Sequence, residues 1–348
     1  MSDLWLHATR GTVVESRHMA HLVITNPAGD ILVAAGAPDR LTYWRSAAKP
    51  IQAIPLVASG GTERFGLTDE EIAVITASHA GEPAHIAAVE SVLAKCGIGE
   101  EWLRCGAHLP FSTSDAEALI RRGELPRAIH SNCSGKHAGM LALALLRGWP
   151  LHGYMELEHP VQQEALAMVA LFTGVPQAVI PTAVDGCGVP TYALPLHALA
   201  TAYARLAVPE VLPESVSMAV RRITTAMRRH PYMTAGSGRF CTALMAATGE
   251  RIIAKSGAEG FVSMGLPELG LGMALKVEDG ASRAVAPLAM EILCRLGVLD
   301  EEESVSLADL HQPVIRNLVG FPVGGLQPQV SEALAQMLHE LRKERLLS

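Results

Sequence analysis

Apolar and polar positions alternate near both ends of the chain, and this pattern predicts β-strands. Alternating residues flank positions 26–30, whose Asn-Pro-Ala-Gly-Asp sequence is typical of a turn. Residues 20–35 are therefore predicted to form a β-hairpin. Further strands are predicted near residues 11–15, 179–184, 251–255, 260–264 and 272–277.

The middle of the chain has the apolar spacing of three to four residues that is typical of helices. Pro83 and Gly97, for example, bracket one helical stretch at the positions that favour a start and an end. Helices are predicted at residues 46–57, 83–97, 134–147, 192–207, 213–229 and 281–296, from Pro160 and from Ser331.

Strands at both ends and helices between them predict an α/β (α+β) fold. One antiparallel sheet would combine the two ends of the chain, and helices would pack on it while the middle forms a helical lobe. We expect a single domain of residues 1–348. Its sheet lobe would hold approximately residues 1–60 and 230–348, and its helical lobe approximately residues 61–229.

The composition narrows the class of protein. Of the 348 residues 49% are hydrophobic, only 4% aromatic and 18% charged, which predicts a folded chain with an aliphatic core. The net charge is −7, so we expect no nucleic-acid partner. No apolar run approaches the ~18 residues of a membrane span, and the first residues lack the pattern of a signal peptide. A cytoplasmic location, with reduced cysteines, is therefore expected.

Two short motifs suit a serine hydrolase. Ser46 and Lys49 share a face if a helix begins there, and a buried lysine amine can take the proton of a serine hydroxyl. Lys255, in the sequence Lys-Ser-Gly, follows a predicted strand, and this motif accompanies S-x-x-K in penicillin-recognising enzymes. The alternatives are a capping serine beside a solvated lysine, and an ordinary end of a strand.

Three further segments concentrate reactive side chains next to small residues. Cys133, Lys136 and His137 crowd the start of a predicted helix, and Asp185 and Cys187 follow a predicted strand. The alternatives are a helix start capped by Ser134 and a bend with a buried thiol, and neither segment has the C-x-x-C spacing of a common zinc site. Ser78, in Ser-His-Ala-Gly-Glu, either reaches a pocket or caps a helix end.

Together these segments resemble the Rhizobium etli-type L-asparaginases, a zinc-containing family. The resemblance is carried by residues 45–50 (Arg-Ser-Ala-Ala-Lys-Pro), 78–82 (Ser-His-Ala-Gly-Glu), 132–137 (Asn-Cys-Ser-Gly-Lys-His), 185–188 (Asp-Gly-Cys-Gly) and 234–236 (Thr-Ala-Gly), in this order. It implies a serine-β-lactamase-like fold and a homodimer.

The resemblance also implies roles for individual residues. Ser46 would be the nucleophile with Lys49 as its base, and Ser78 would be a second catalytic serine with Lys255 as its partner. The remaining implied site residues are the Zn²⁺ ligands Cys133, Lys136 and Cys187, with water as the fourth ligand, and the near-site residues His137 and Asp185. We expect Arg45 to bind the carboxylate of the substrate.

The expected reaction is hydrolysis of L-asparagine to L-aspartate and ammonia through an acyl ester on Ser46. A metal-free Ser–Lys hydrolase, such as a glutaminase or a penicillin-recognising enzyme, is the alternative among enzymes. A non-enzymatic zinc or redox sensor that uses the thiols is the alternative outside enzymes. Cys96, Cys241 and Cys294 are predicted to lie in apolar helices, and Cys105 has no predicted role.

Overall fold

A computed structural model describes residues 3–346 of the chain. The strands are β1 (Leu4–Arg10), β2 (Val13–Thr25), β3 (Ile31–Ala35), β4 (Leu41–Tyr43), β5 (Thr182–Val184), β6 (Pro190–Pro195), β7 (Ile253–Ser256), β8 (Phe261–Leu266), β9 (Leu271–Val277), β10 (Val314–Arg316) and β11 (Pro322–Val330). The α-helices are α1 (Lys49–Gln52), α2 (Ile54–Ala58), α3 (Gly61–Phe65), α4 (Asp69–Ile75), α5 (Pro83–Cys96), α6 (Thr113–Arg121), α7 (Ser134–Arg147), α8 (Pro160–Thr173), α9 (Leu196–Ala207), α10 (Glu214–Arg229), α11 (Pro231–Ala235), α12 (Phe240–Thr248), α13 (Val285–Leu296), α14 (Glu301–Ser306), α15 (Ala308–His311) and α16 (Glu332–Leu346). Short 3-10 helices lie at Arg45–Ala48, Glu100–Trp102, Ala128–His130, Gln177–Val179, Pro209–Val211, Pro267–Leu269 and Ser282–Ala284.

The chain divides into two compact units. The first holds residues up to 47, residues 194–208 and residues from 254 onward, and the second holds residues 48–193 and 209–253. These divisions differ from the predicted lobe boundaries near residues 60 and 230, and α9 belongs to the first unit although it lies within the predicted helical lobe. The single domain stays a prediction.

The first unit is built on an antiparallel sheet from both ends of the chain. Its strand order is β10-β11-β1-β2-β9-β8-β7, with β3 also paired to β2. Leu22 of β2 lies opposite Ala35 of β3 and Leu275 of β9. Every residue of β9 is buried, so both faces of this strand are covered, and α9 and α13 both pack against it. The predicted mixed α/β fold with this sheet is confirmed.

Close backbone packing joins α9 to the sheet. A Cβ atom at Gly272 of β9 would lie 2.1 Å from the carbonyl oxygen of Ala200 in α9. Only glycine allows this approach, because any side chain would push the helix away from the strand. The helix is thereby held firmly on the sheet of the first unit.

The second unit is a group of helices around α7. Of α7, residues 134–144 are buried, and α2, α4, α5 and α8 pack against it. Gly135 permits the closest contact, since a Cβ there would lie 2.1 Å from the carbonyl oxygen of Val74 in α4. Local signals set the ends of α4, because Thr68 and Glu71 form the reciprocal hydrogen bonds of a capping box. The N-terminus of α7, which carries several predicted site residues, is therefore fixed in a dense interior.

Several predicted elements need correction. Residues 46–57 do not form one helix: a 3-10 turn, α1 and α2 follow one another, and Pro50 and Pro55 lie near the starts of the two α-helices. The predicted helix at residues 192–207 begins at Leu196, because residues 190–195 form β6 and pair with β5. The predicted strand at residues 179–184 covers only Thr182–Val184.

Within residues 3–346, none of the helices combines the length and the apolar character that crossing a bilayer would require.

Candidate functional site

The first unit carries Arg45 and Ser46 on a constrained turn. Arg45 has a φ of 52°, a left-handed conformation that is uncommon for a residue other than glycine. Trp44 before it is fully buried and contacts Tyr203 of α9 edge-on, and the Tyr203 hydroxyl donates a 2.8 Å hydrogen bond to the Ala47 carbonyl oxygen. Contacts on both sides therefore hold the turn that presents Ser46, which is half-buried.

Lys255 lies at the end of β7 in the same unit. Its side chain is 2% exposed, and Nζ donates a 3.0 Å hydrogen bond to the Ser256 carbonyl oxygen. A Cβ at Gly257 would lie 3.0 Å from the Trp44 carbonyl oxygen, so the strand end runs directly beside the Trp44 backbone. The first unit thus brings the Lys-Ser-Gly motif next to the turn of Ser46.

In the second unit, Lys49 is a buried amine among three oxygen atoms. The residue is 1% exposed, and its Nζ lies 2.6 Å from the Ala77 carbonyl oxygen, 2.8 Å from Ser78 Oγ and 3.3 Å from the Asn132 carbonyl oxygen. The serine in direct contact with Lys49 is therefore Ser78, the one that the family resemblance pairs with Lys255.

The protonation of Lys49 decides what this contact can do. Burial lowers the pKa of Lys49, against the nearby thiols of Cys133 and Cys187, which raise it. A neutral amine has two N–H donors and one lone pair. Since carbonyl oxygens only accept, one N–H goes to Ala77 and the other can go to Ser78 Oγ or Asn132, which leaves the lone pair available to accept a proton from a serine hydroxyl. The geometry therefore lets a proton move between Lys49 and Ser78.

Ser78 is held by the segment around Gly236. The Ser78 N–H donates a 3.1 Å hydrogen bond to the Thr234 carbonyl oxygen. Gly236, with a φ of 111°, lets the two segments approach, since a Cβ there would lie 2.5 Å from Ala80 Cβ. The Ser-His-Ala-Gly-Glu and Thr-Ala-Gly motifs are therefore two sides of one contact.

The carboxylate of Glu82 stabilises this contact, and the residue is 6% exposed. It accepts hydrogen bonds from the Tyr232 hydroxyl at 2.7 Å and from the backbone N–H and hydroxyl of Ser237 at 2.8 and 2.9 Å. Burial raises the pKa of Glu82, but these hydrogen bonds together lower it by more. The net pKa therefore lies below its usual value. An ionised Glu82 therefore ties the loop after Ser78 to residues 232–237.

His79 links the Ser78 loop to the start of α7. Its Nδ1 accepts the Gly81 N–H, so Nε2 carries the proton and donates at 2.9 Å to Ser134 Oγ, which donates in turn to the Ile129 carbonyl oxygen. Burial holds the pKa of His79 well below its usual value, so the ring is neutral. Ser134 is thus used in this chain of hydrogen bonds, and Cys133, rather than Ser134, is the N-cap residue of α7.

The start of α7 also brings together Cys133, Lys136 and Cys187. All three are buried, and Lys136 Nζ donates to Cys187 Sγ at 3.1 Å. The interaction between the two thiols lowers the pKa of Cys133 and raises that of Cys187. Burial lowers the pKa of Lys136, but the thiols raise it more, and its net pKa lies above the usual value. The cluster thus stabilises one thiolate beside an ammonium group.

The chemistry of this donor set fits a zinc ion. In the described part of the chain no three His, Cys, Asp or Glu side chains are grouped as a metal site. The present cluster has only two such side chains, its thiols, and its third candidate ligand is a lysine amine. Nitrogen and sulfur ligands of one tetrahedral zinc lie about 3.5 Å apart. The 3.1 Å between Lys136 Nζ and Cys187 Sγ would have to grow by only about 0.4 Å. Lys136 would lose a proton on binding, which a metal promotes.

Asp185 and His137 border this cluster. Asp185 is half-buried, its Oδ1 accepts the Gly186 N–H at 2.7 Å, and its charge helps to raise the pKa of Lys136. His137 is fully buried, and its Nδ1 lies 2.6 Å from the Tyr154 hydroxyl. The second unit thus brings together Lys49, Ser78 and the residues of the thiol cluster, and their roles stay predictions.

Three tyrosine side chains that support these groups have no signal in the sequence. Tyr203 holds the Ser46 turn, Tyr232 holds Glu82, and Tyr154 holds His137. They lie outside the reactive segments, and a tyrosine in a helical or irregular stretch has no local pattern that predicts such a contact. Cys105 is buried as well, and its Sγ donates to the Ala128 carbonyl oxygen at 3.4 Å.

Comparison with known proteins identifies the family. A family model described as L-asparaginase II matches residues 6–328. The chain therefore belongs to the L-asparaginase II family, which confirms the predicted family.

Other comparisons add little. A search of curated proteins found no match. A solved structure described as "Crystal Structure Analysis of Mglu" shares 19% sequence identity with the chain, at a TM-score of 0.32. The match covers 75% of this chain and 61% of that chain. At this TM-score the likeness supports no conclusion about fold or activity.

Proposed function

We propose that the protein is an L-asparaginase that hydrolyses the side-chain amide of L-asparagine to L-aspartate and ammonia. Membership of the L-asparaginase II family supports the reaction. The observation that carries the mechanism is the buried Lys49 amine, 2.8 Å from Ser78 Oγ. A lysine with a lowered pKa can act as a general base near neutral pH, whereas a solvated lysine cannot.

In the first step Ser46 attacks the amide carbon of the substrate. Ser46 and Lys49 are three residues apart in consecutive helical segments, a spacing that suits a nucleophile and its base. The Ser46 proton moves to Lys49 and from there through Ser78 to the amide nitrogen. The carbon–nitrogen bond breaks, ammonia leaves, and a β-aspartyl ester remains on Ser46.

In the second step water hydrolyses the ester. Lys49 takes a proton from the water, hydroxide adds to the ester carbon, and the proton returns to Ser46 Oγ as the carbon–oxygen bond breaks. General-base assistance of this kind contributes about 10²–10⁴ in rate. The Lys255 amine would assist Ser78 electrostatically, in keeping with the pairing that the family resemblance implies.

The substrate is an amino acid with two charged groups, and the chain offers a partner for each. The Arg45 guanidinium suits the α-carboxylate, because its planar fork binds carboxylates through two hydrogen bonds. Asp185 suits the α-ammonium group by charge. His137 is proposed to contribute a neutral hydrogen-bond donor, since its ring is buried and burial lowers its pKa.

Zinc is proposed as the resident metal, held by Cys133, Lys136 and Cys187. When bound, it would supply a positive charge that fixes the two thiol loops and orients the substrate. The two thiolates would balance its charge. The nucleophile would remain Ser46, so the residues of this chain would carry out both steps of the reaction.

The remaining expectations are part of the same proposal. We propose a serine-β-lactamase-like fold, a homodimer and a cytoplasmic location. The antiparallel sheet from both chain ends supports the fold. All six cysteines lie in the described residues and none of them forms a disulfide there, which supports a reducing compartment.

An ammonia-release assay on L-asparagine and L-glutamine, with and without a chelator, tests the proposed function. We expect release from L-asparagine, and a lower rate after the metal is removed. Preference for L-glutamine, or hydrolysis of a β-lactam alone, would favour the alternative hydrolases. Normal activity of a zinc-free Cys133→Ser variant would reject the metal, and absence of any amide hydrolysis would favour a thiol-based sensor.

A further inference from the structure

The tautomer of His137 follows from its neighbours. The Tyr154 hydroxyl oxygen accepts the Arg104 backbone N–H at 3.1 Å and lies 2.6 Å from His137 Nδ1. A backbone N–H can only donate, and within residues 3–346 the buried Tyr154 hydroxyl has no acceptor for its own proton other than Nδ1, so this proton is donated to Nδ1. His137 Nδ1 is therefore the acceptor, and the ring proton is on Nε2.

The Nε2–H of His137 is a buried donor that lacks a protein partner. The residue is 0% exposed, and Nε2 has no hydrogen-bond partner among residues 3–346. Burying a donor without an acceptor is costly, so native proteins seldom leave one. An acceptor oxygen that is not part of the protein would complete this arrangement.

We propose that Tyr154 is a positioning residue that holds His137 in the Nε2–H tautomer, so that this N–H binds an acceptor oxygen of the amino-acid substrate or product. The inference rests on the proposed function for the identity of the ligand, but not for the tautomer. Tyr154 is 2% exposed and meets His137 edge-on, with ring centroids 5.5 Å apart, so its hydroxyl has little freedom to turn elsewhere.

The tautomer can be measured in the full-length protein by ¹⁵N NMR of labelled histidine. The chain has 14 histidines, and the His137→Gln variant identifies the signals of His137. We expect Nε2 protonated and Nδ1 unprotonated in the wild type, and a mixture of tautomers in Tyr154→Phe. A wild-type Nδ1–H tautomer, or identical His137 signals in Tyr154→Phe, would overturn the proposal.

The matched control is Tyr203→Phe, which also removes one buried hydroxyl and its hydrogen bond. We expect it to lose stability as Tyr154→Phe does, but to leave the His137 signals unchanged. A change of equal size in both variants would mean that the effect on His137 is a general loss of packing, and would overturn the positioning role.

Binding is tested with L-aspartate as the probe. Saturation with L-aspartate should shift the His137 Nε2–H signal. In a separate kinetic assay, Tyr154→Phe should raise KM for L-asparagine about five- to tenfold, which is the effect of losing about one hydrogen bond, and kcat should be nearly unchanged. An unshifted signal, or a loss in kcat alone, would overturn the donor role. If no amide is hydrolysed while L-aspartate still shifts the signal, the proposed function fails and the inference stands.

Discussion

Replacing Glu82 with glutamine removes one buried charge and keeps the shape of the side chain. The carboxylate accepts three hydrogen bonds, one from Tyr232 and two from Ser237. In Glu82→Gln the amide oxygen can still accept the Ser237 N–H. The amide NH₂ group, however, faces two hydroxyls that must reverse their direction in order to accept from it.

The expected loss of stability follows from these bonds. A hydrogen bond to a charged group contributes about 1.5–3 kcal/mol, and a neutral one about 0.5–1.5 kcal/mol. Three bonds that each weaken by about 1 kcal/mol predict a fall of about 3 kcal/mol in the free energy of unfolding at pH 7. The effect should reach the site, because the same segment accepts the Ser78 N–H, and kcat/KM should fall about tenfold.

The loss of stability in Glu82→Gln should depend on pH. The pKa of Glu82 in the folded state lies below its ordinary value of 4.5, so its stabilisation is fully present above that value and is lost as the pH falls through the folded pKa. The difference between wild type and Glu82→Gln should therefore be largest near neutral pH and shrink in acid.

Urea unfolding followed by tryptophan fluorescence, at neutral and acidic pH, measures this difference. Glu117→Gln is the control, since Glu117 lies in an exposed ion pair with Arg121 and should change stability by less than about 0.5 kcal/mol. If Glu82→Gln is as stable as this control at neutral pH, or if its deficit does not change with pH, the ionised carboxylate does not hold the loop.

Three further substitutions test other parts of the account. Lys49→Met should lower kcat for ammonia release by about 10²–10⁴, because the base is lost. Gly236→Ala should lower the free energy of unfolding in urea by about 2–4 kcal/mol, since φ is 111° and the new Cβ would meet Ala80 Cβ at 2.5 Å. Cys187→Ser should reduce zinc measured by atomic emission from near-stoichiometric to trace amounts.

Each of these substitutions has a matched control. Lys343→Met, on the exposed tail helix, should keep the wild-type kcat, and a similar kcat in Lys49→Met would exclude Lys49 as the base. Gly186→Ala has open space for a Cβ, so an equal loss of stability there would refute the steric argument. Cys241→Ser removes a buried thiol from α12 and should retain zinc. If Cys187→Ser retains it as well, Cys187 is not a ligand.

Elements with strong local signals were predicted from the sequence. The Pro83 and Gly97 ends of α5 are confirmed, because a helix end satisfies its own backbone through neighbouring residues. The hairpin of β2 and β3 has an equally local turn.

Strand β11 shows what local signals miss. It contains Pro322, Pro328 and two adjacent glycines, a composition that argues against a strand. Its pairing with β1 stabilises it, for example Leu4 opposite Val330. Gly324 is needed there because a Cβ would lie 1.9 Å from the Thr9 carbonyl oxygen. Partners more than 300 positions away in the chain leave no trace in the nearby sequence.

The candidate site likewise has a part that the sequence predicts and a part that depends on residues far apart in the chain. Reactive residue types in short motifs marked Lys49, Ser78 and Cys133 as candidates. Their arrangement could not be predicted, because the oxygens around Lys49 come from residues 29 and 83 positions away. Tyr154 lies between the reactive segments, and its contact with His137 depends entirely on the packing of the loop that carries it.

The central claim is that Ser46 is the nucleophile of an amide hydrolysis. Its most direct test is the rate of ammonia release from L-asparagine by the wild type and by Ser46→Ala, with circular dichroism to show that both are folded. We predict that the wild type releases ammonia and that the variant loses at least about 10³-fold in kcat. A folded Ser46→Ala variant that releases ammonia at the wild-type rate would contradict the account.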